Sequence, residues 1–158
     1  MEEWRLDGSK VGLNSLTSKK QNHGCTHFIR DSAETIIVAG GYDGSNYLQS
    51  VEKMKRSSTG GPWSLWMNIG NLPQKRLNFP MISWSNGLVY ILGGYLTSGT
   101  TDSIISSEDC ITWKSENITI PTGRYYHSAT STEKLCQYMK LYYLLYTKIY
   151  HWFNFLMQ

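Results

Sequence analysis

The sequence predicts an all-β protein made of repeated antiparallel sheets, followed by a single amphipathic helix. Three observations predict it. A strand-like apolar run ending in two glycines occurs twice, at Ile36-Ile37-Val38-Ala39-Gly40-Gly41-Tyr42 and at Tyr90-Ile91-Leu92-Gly93-Gly94-Tyr95, 53 residues apart. Trp66, Pro73, Arg76 and Phe79 are followed in the same order by Trp113, Pro121, Arg124 and His127, at intervals of 47 to 48. Between the glycine pairs the apolar residues are short, β-branched runs bounded by turn residues, with no 3.6-residue period.

Each unit divides into strands. Thr35 to Ala39 and Leu88 to Leu92 have the length and continuous apolar character of strands buried on both faces. The glycine pairs let each run end in a tight corner that a side chain would block. Further strands are expected around Tyr47 to Met54, Trp63 to Asn68 and Asn78 to Trp84, with turns at Asp43-Gly44 and at Ser57 to Pro62. Asn86-Gly87, between Met81–Ser85 and Leu88–Leu92, is the sharpest hairpin signal in the chain. Four strands in about fifty residues describe a propeller blade better than a solenoid turn.

Size and balance agree with this class. A chain of 158 residues with 41% hydrophobic residues suits one globular domain, and 13% aromatics with 17% charged residues argue against disorder. A net charge of +3 gives none of the concentrated basic surface that nucleic-acid binding requires, so no nucleic-acid partner is expected. No uncharged apolar stretch reaches 18 residues, and the opening Met1-Glu2-Glu3-Trp4-Arg5 does not read as a secretory signal. Cytoplasm is the default expectation. Cys25, Cys110 and Cys136 are too few and too scattered for a disulfide scaffold or a C-x-x-C zinc site.

With these residues in view, the chain resembles the kelch repeat. The resemblance rests on Gly-Gly followed by Tyr47, Val51, Trp66, Leu72-Pro73 and Arg76, and then on the second Tyr-Ile-Leu-Gly-Gly. It covers about residues 23 to 131 and implies four-stranded blades set radially around a channel. It further implies that Gly40, Gly41, Gly93 and Gly94 end the second strand of each blade, and that Trp66 and Trp113 sit in the outer strand. Arg76, Arg124 and His127 belong to an Arg-x-x-His element that opens the next blade. Arg124-Tyr125-Tyr126-His127 matches that element in full, Arg76-Leu77-Asn78-Phe79 has Phe for His, and His27 is read as keeping only the histidine, with Gly24 at the arginine position. Ser107 to Trp113 resembles the aspartate turn of some propellers, with Cys110 where glycine is usual, which places the second outer hairpin in question. The organisation expected is therefore an N-terminal segment at 1–22, blades at 23–75 and 76–123, the first strand of a third blade at 124–133, and an aromatic helical tail at 134–158. The tail holds eight of the 21 aromatics and lines Gln137, Lys140, Thr147, Lys148, His151, Asn154 and Gln158 along one side.

Two blades cannot close a propeller, so the chain is either a piece of a larger one or completes itself by self-association. The function expected is non-enzymatic recognition of a protein partner through loops held on a rigid frame. Tyr42, Asp43 and Tyr95 after the glycine pairs are candidate contacts, together with Trp63 and Trp84, which lie outside the repeat. The alternative is a blade pair of a copper oxidase-like or sialidase-like enzyme completed by other chains. No catalytic residue, cofactor or metal is assigned. His23-Gly24-Cys25-Thr26-His27 lacks a further ligand close in sequence, and Gly40 to Gly44 lacks the Lys-Ser/Thr of a phosphate loop.

Overall fold

A computed structural model describes residues 2–4, 10–12, 14–57, 61–84 and 87–131. The chain is all-β, every sheet is antiparallel, and no helix occurs among the described residues. The helix expected at 134–158 lies outside them. A hairpin of β1 (Glu2–Trp4) and β2 (Lys10–Gly12) comes first. The first four-stranded sheet is a simple meander of β3 (Gly24–Arg30), β4 (Ala33–Ala39), β5 (Ser50–Arg56) and β6 (Met67–Asn71). A short β7 (Arg76–Leu77) leads to β8 (Met81–Ser83) and β9 (Val89–Leu92). Then β10 (Tyr95–Leu96) and β11 (Gly99–Thr100) pair with β7 in a small three-stranded sheet. β12 (Ser103–Ser107) and β13 (Lys114–Thr119) complete a second meander with β8 and β9.

The two four-stranded sheets stack face to face, and one core joins them. Ile37, Ala39 and Val51 project from the first sheet, with Leu72 beside them, and meet Phe79, Met81, Val89, Ile91 and Ile105 of the second unit. The edge strands β3 and β8 lie side by side, tied where the Ser83 hydroxyl donates to the His27 carbonyl at 2.7 Å. Val38, Met54 and Trp66 face the other way and are covered by Leu16 and Trp63, so β4 is buried on both faces as its continuous apolar run requires. β9 instead alternates. Val89 and Ile91 are buried against the first sheet, while Tyr90 and Leu92 on the opposite side stay half-buried, because no complete sheet covers that side among the described residues.

Three expected strands move. The one expected from Trp63 starts at Met67, because Lys55 uses its ladder bonds on Ser64, donating to the Ser64 hydroxyl at 3.0 Å and accepting from its N–H at 2.9 Å. Trp66 and Trp113 accordingly precede the outer strands rather than sit within them. The strand expected from Asn78 starts at Met81, since Asn78 has a left-handed backbone (φ 55°) and Pro80 offers no N–H. The strand expected at Tyr47 to Met54 is found at Ser50–Arg56. The hairpin between β8 and β9 forms, with the Trp84 N–H donating to the Leu88 carbonyl at 2.8 Å.

Candidate functional site

The two glycine corners are built alike, bond for bond. The Gly40 N–H donates to the Ser50 carbonyl and the Gly93 N–H to the Ser103 carbonyl, both at 3.0 Å. The Gly41 N–H reaches the Arg76 carbonyl and the Gly94 N–H the Arg124 carbonyl, both at 2.8 Å. Gly40 and Gly93 have φ of 62° and 56°, and a Cβ on either would strike the carbonyl of Arg76 (2.3 Å) or Arg124 (2.8 Å). Only glycine tolerates both the angle and the approach. Each corner thus receives the backbone of the following Arg-x-x-His/Phe element.

The same comparison corrects the reading of the first element. Asn22, Asn78 and Tyr126 share a left-handed backbone (φ 57°, 55° and 55°), and each links to the next: Asn78 N–H to Asn22 O at 2.8 Å, Tyr126 N–H to Asn78 O at 3.1 Å. Counting from them, Lys20-Gln21-Asn22-His23 is the counterpart of Arg76-Leu77-Asn78-Phe79 and Arg124-Tyr125-Tyr126-His127. The arginine position is Lys20, not Gly24, and the histidine position is His23, not His27. Gly24 has another reason to be small, since the Phe79 ring would collide with any Cβ there. His27 faces Glu34 at 3.5 Å, which Arg56 also engages at 2.8 Å. A lysine in place of arginine hid this element from the sequence pattern.

The cation at this position spans two units. Arg76 is 2% exposed; its guanidinium donates to the Gly93 carbonyl at 2.8 Å and to the Ser103 hydroxyl at 2.9 Å, while its own carbonyl holds Gly41. Burial pulls its pKa down to about 10. Lys20 repeats the contact, donating to the Ser50 hydroxyl at 3.0 Å, and adds a fully buried ion pair to Glu52 at 2.7 Å. Burial pushes the Glu52 carboxyl up, but the hydrogen bonds from Lys20 and from the Thr17 N–H outweigh it and hold the group below its ordinary value. Ile105 takes the place of Glu52 in the second sheet, so Arg76 relies on neutral acceptors. Arg124 is exposed and reaches only the Thr122 carbonyl, at 3.2 Å, among the described residues. These roles are structural.

Past the corners lies a depression of about 570 Å³ that collects residues from all three elements. Gln21 and Asn22 come from the first, Leu77 and Asn78 from the second, Tyr125 and Tyr126 from the third; Tyr42, Tyr47 and Tyr95 rise from the loops after the glycines. The tyrosines form a continuous row. Tyr42–Tyr47, Tyr47–Tyr95 and Tyr95–Tyr125 meet edge to face with centroids 5.8, 6.4 and 5.4 Å apart, and Tyr125 tilts against Tyr126 at 5.2 Å. The row is held from below: Tyr42 pairs with Gln21 and Tyr47 by isolated bridges, Tyr95 with Leu77 in the small sheet. Asp43 caps its own loop, accepting from the Ser45 and Asn46 N–H groups at 2.7 Å. Those backbone hydrogen bonds lower its pKa.

Of the contact residues expected from sequence, Tyr42, Asp43 and Tyr95 fall at this end of the sheets. Trp63 and Trp84 do not. Arg56 pairs with Glu34 at the end of β5 and β4 remote from Gly40, and Trp63 lies over the Arg56 guanidinium at 4.5 Å. Trp84 packs edge-on to Tyr90 at 6.4 Å, again at the end of its sheet remote from Gly93. Tyr47, Tyr125 and Tyr126 complete the row and are not among the contacts expected from sequence; no tyrosine stands at the matching positions of the other repeat elements, so no repeated signal marked them.

The hairpin placed in question is formed. Asp109 accepts from the Ile111 and Thr112 N–H groups at 2.8 and 2.7 Å, and these bonds bring its pKa down to about 2. Cys110 takes the left-handed angle (φ 63°) that glycine would and compensates by burying its side chain in the shared core. Burial raises its thiol pKa to about 11. Among the described residues no three of His, Cys, Asp and Glu come together as metal ligands, and no helix is long and apolar enough to cross a membrane. No protein-family model matches the chain, and no curated protein matches it either.

Proposed function

We propose that the chain is a non-enzymatic recognition module of the kelch-repeat type, a part of a β-propeller in which each four-stranded sheet is one blade, and that it binds a protein partner on its tyrosine face. The repeated corner geometry supports the architecture. The row from Tyr42 to Tyr126 carries the functional part: five tyrosines, from the segments after the two glycine pairs and from the third element, converge on one depression, and Tyr125 and Tyr126 are 45% and 71% exposed. Tyrosine offers a large, rigid contact with a polar tip at little entropic cost, which is why it gathers at recognition surfaces. The scaffold beneath is stiff, because every tyrosine stands on or beside a hydrogen-bonded corner.

The test is affinity capture with the full chain, compared with Tyr95→Ser, Tyr125→Ala and Trp84→Ala. The proposal expects a captured protein to be lost with either tyrosine variant and retained with the tryptophan variant. Capture that depends on Trp84 and ignores both tyrosines would place recognition at the opposite end and overturn the proposal.

A further inference from the structure

We propose that the segment docking on the tyrosine face is uncharged, proline-rich and in the polyproline II conformation; this rests on the recognition reading above and names the partner's chemistry. The first reason is charge. The lining consists of tyrosines, Gln21, Asn22, Leu77 and Asn78, with no Lys, Arg, Asp or Glu. A charged side chain seated in the depression would lose hydration there, and none of the lining side chains carries an opposite charge.

The second reason is the shape of the row. Successive rings from Tyr42 to Tyr125 turn by 71 to 79° from one another, so faces and edges alternate and leave slots between them. Parallel rings would suit a planar base; slots suit puckered pyrrolidine rings. Polyproline II advances about 3.1 Å per residue with three residues per turn, so prolines on one side recur about every 9 Å. Two successive ring gaps in the row, 5.8 and 6.4 Å, together reach at most about 12 Å, room for one turn of such a strand.

The third reason is hydrogen bonding. A polyproline II strand makes no internal hydrogen bonds and presents its carbonyls outward. The hydroxyls of Tyr47, Tyr95, Tyr125 and Tyr126 and the Asn22 and Asn78 carboxamides are donors suited to them, whereas the Tyr42 hydroxyl already donates to the Gly44 carbonyl at 2.8 Å. Because such a strand is already extended before it binds, little ordering cost is added, and a shallow aromatic trough suffices, as in other modules that read proline-rich segments.

The experiment titrates the full chain with a synthetic dodecapeptide of four Pro-Pro-Ala triplets, followed by calorimetry and by amide shifts at Gly41 and Gly94. The result expected is saturable binding that weakens at least tenfold for the Gly-Gly-Ala analogue and at least tenfold for Tyr95→Ser or the exposed-site variant Tyr125→Ala, and that Trp84→Ala leaves within twofold. Equal binding to the glycine analogue, or no effect of either tyrosine variant, overturns the inference. So does tyrosine-dependent binding of neutral oligosaccharides with none of the peptide. A protein partner captured in a Tyr95-dependent way while no proline peptide binds would sink this inference alone and leave the recognition reading standing; loss of tyrosine dependence in both assays would sink both.

Discussion

Replacing Arg76 with methionine tests whether the buried guanidinium joins the two units or merely fills space. The substitution nearly keeps the volume and removes the charge. Two charge-assisted hydrogen bonds disappear, at 2.8 Å to Gly93 and 2.9 Å to Ser103. Such bonds contribute about 1.5–3 kcal/mol each. Burial works against them: a pKa depressed from 12.5 to about 10, by desolvation alone, corresponds to roughly 3 kcal/mol against the charged form. The difference leaves the side chain a net contribution between about 0 and 3 kcal/mol. Methionine also orphans the Gly93 carbonyl, which costs about 1–3 kcal/mol, whereas the Ser103 hydroxyl keeps its 3.0 Å bond from Thr101. The expected destabilisation is about 3 kcal/mol, a fall of roughly 1.5 M in the urea midpoint followed by tryptophan fluorescence. Arg124→Met is the internal control. It occupies the same repeat position but is exposed, so a change under about 0.5 kcal/mol is expected. An Arg76→Met protein as stable as the parent would show that the guanidinium contributes nothing across the sheets.

Tyr126→Asn should stabilise the fold by about 0.5–1 kcal/mol, because a tyrosine holds the left-handed angle that asparagine holds at positions 22 and 78; a lower urea midpoint would contradict the equivalence. Gly40→Ala should cost more than about 3 kcal/mol through the clash with the Arg76 carbonyl, and Gly44→Ala about 1 kcal/mol, since its Cβ would meet open space and only backbone strain remains; thermal midpoints of the two variants should rank in that order. The lowered Glu52 pKa sets an acid limb. A depressed folded pKa stabilises the protein above the ordinary value of 4.5, and that stabilisation is lost as pH falls through the folded value, so Glu52→Gln should flatten the decline in stability below pH 4.5. Lys20→Met should cost about 3–5 kcal/mol at pH 7 by leaving the Glu52 carboxylate buried and unpaired, and a loss much smaller than this would mean the pair is wetter than its geometry implies.

The parts of the fold legible in the sequence are those whose signal is local. The run from Thr35 to Ala39 within β4 is one, because both of its faces are covered and its residues are apolar or small. The aspartate turn at Ser107 to Trp113 is another: Asp109 satisfies two backbone donors whichever residue follows it, so the hairpin survives a cysteine at the glycine position. The misplaced parts depend on a partner distant in sequence. Lys20 does an arginine's work only because Glu52 supplies the carboxylate, and nothing in Lys20-Gln21-Asn22-His23 announces it. Trp63 and Trp84 looked free because they stand outside the repeat, yet Arg56 and Tyr90 meet them in the folded chain. The tyrosine row was invisible for the converse reason. Its members are separated by up to 84 positions, from Tyr42 to Tyr126, and converge only when three repeat elements step around the corners.

The same stepping bears on self-association. The Arg76 element closes the corner of the sheet before it with its backbone and grips the sheet after it with its side chain; among the described residues Lys20 shows the grip and Arg124 the closure. The corner at Gly93 and Gly94 is already closed, since Arg124 accepts from Gly94 and a Cβ on Gly93 would lie 3.2 Å from the His127 ring. A second copy stacking in repeat register would bring its own Lys20 to His23 to that place and would have to displace Arg124 to His127. Displacement would also remove Tyr125 and Tyr126 from the tyrosine row. Self-association in that register and the proposed recognition on the tyrosine face would therefore be competing uses of one segment, and the closed corner at Gly93 and Gly94 is the arrangement that keeps Tyr125 and Tyr126 in the tyrosine row.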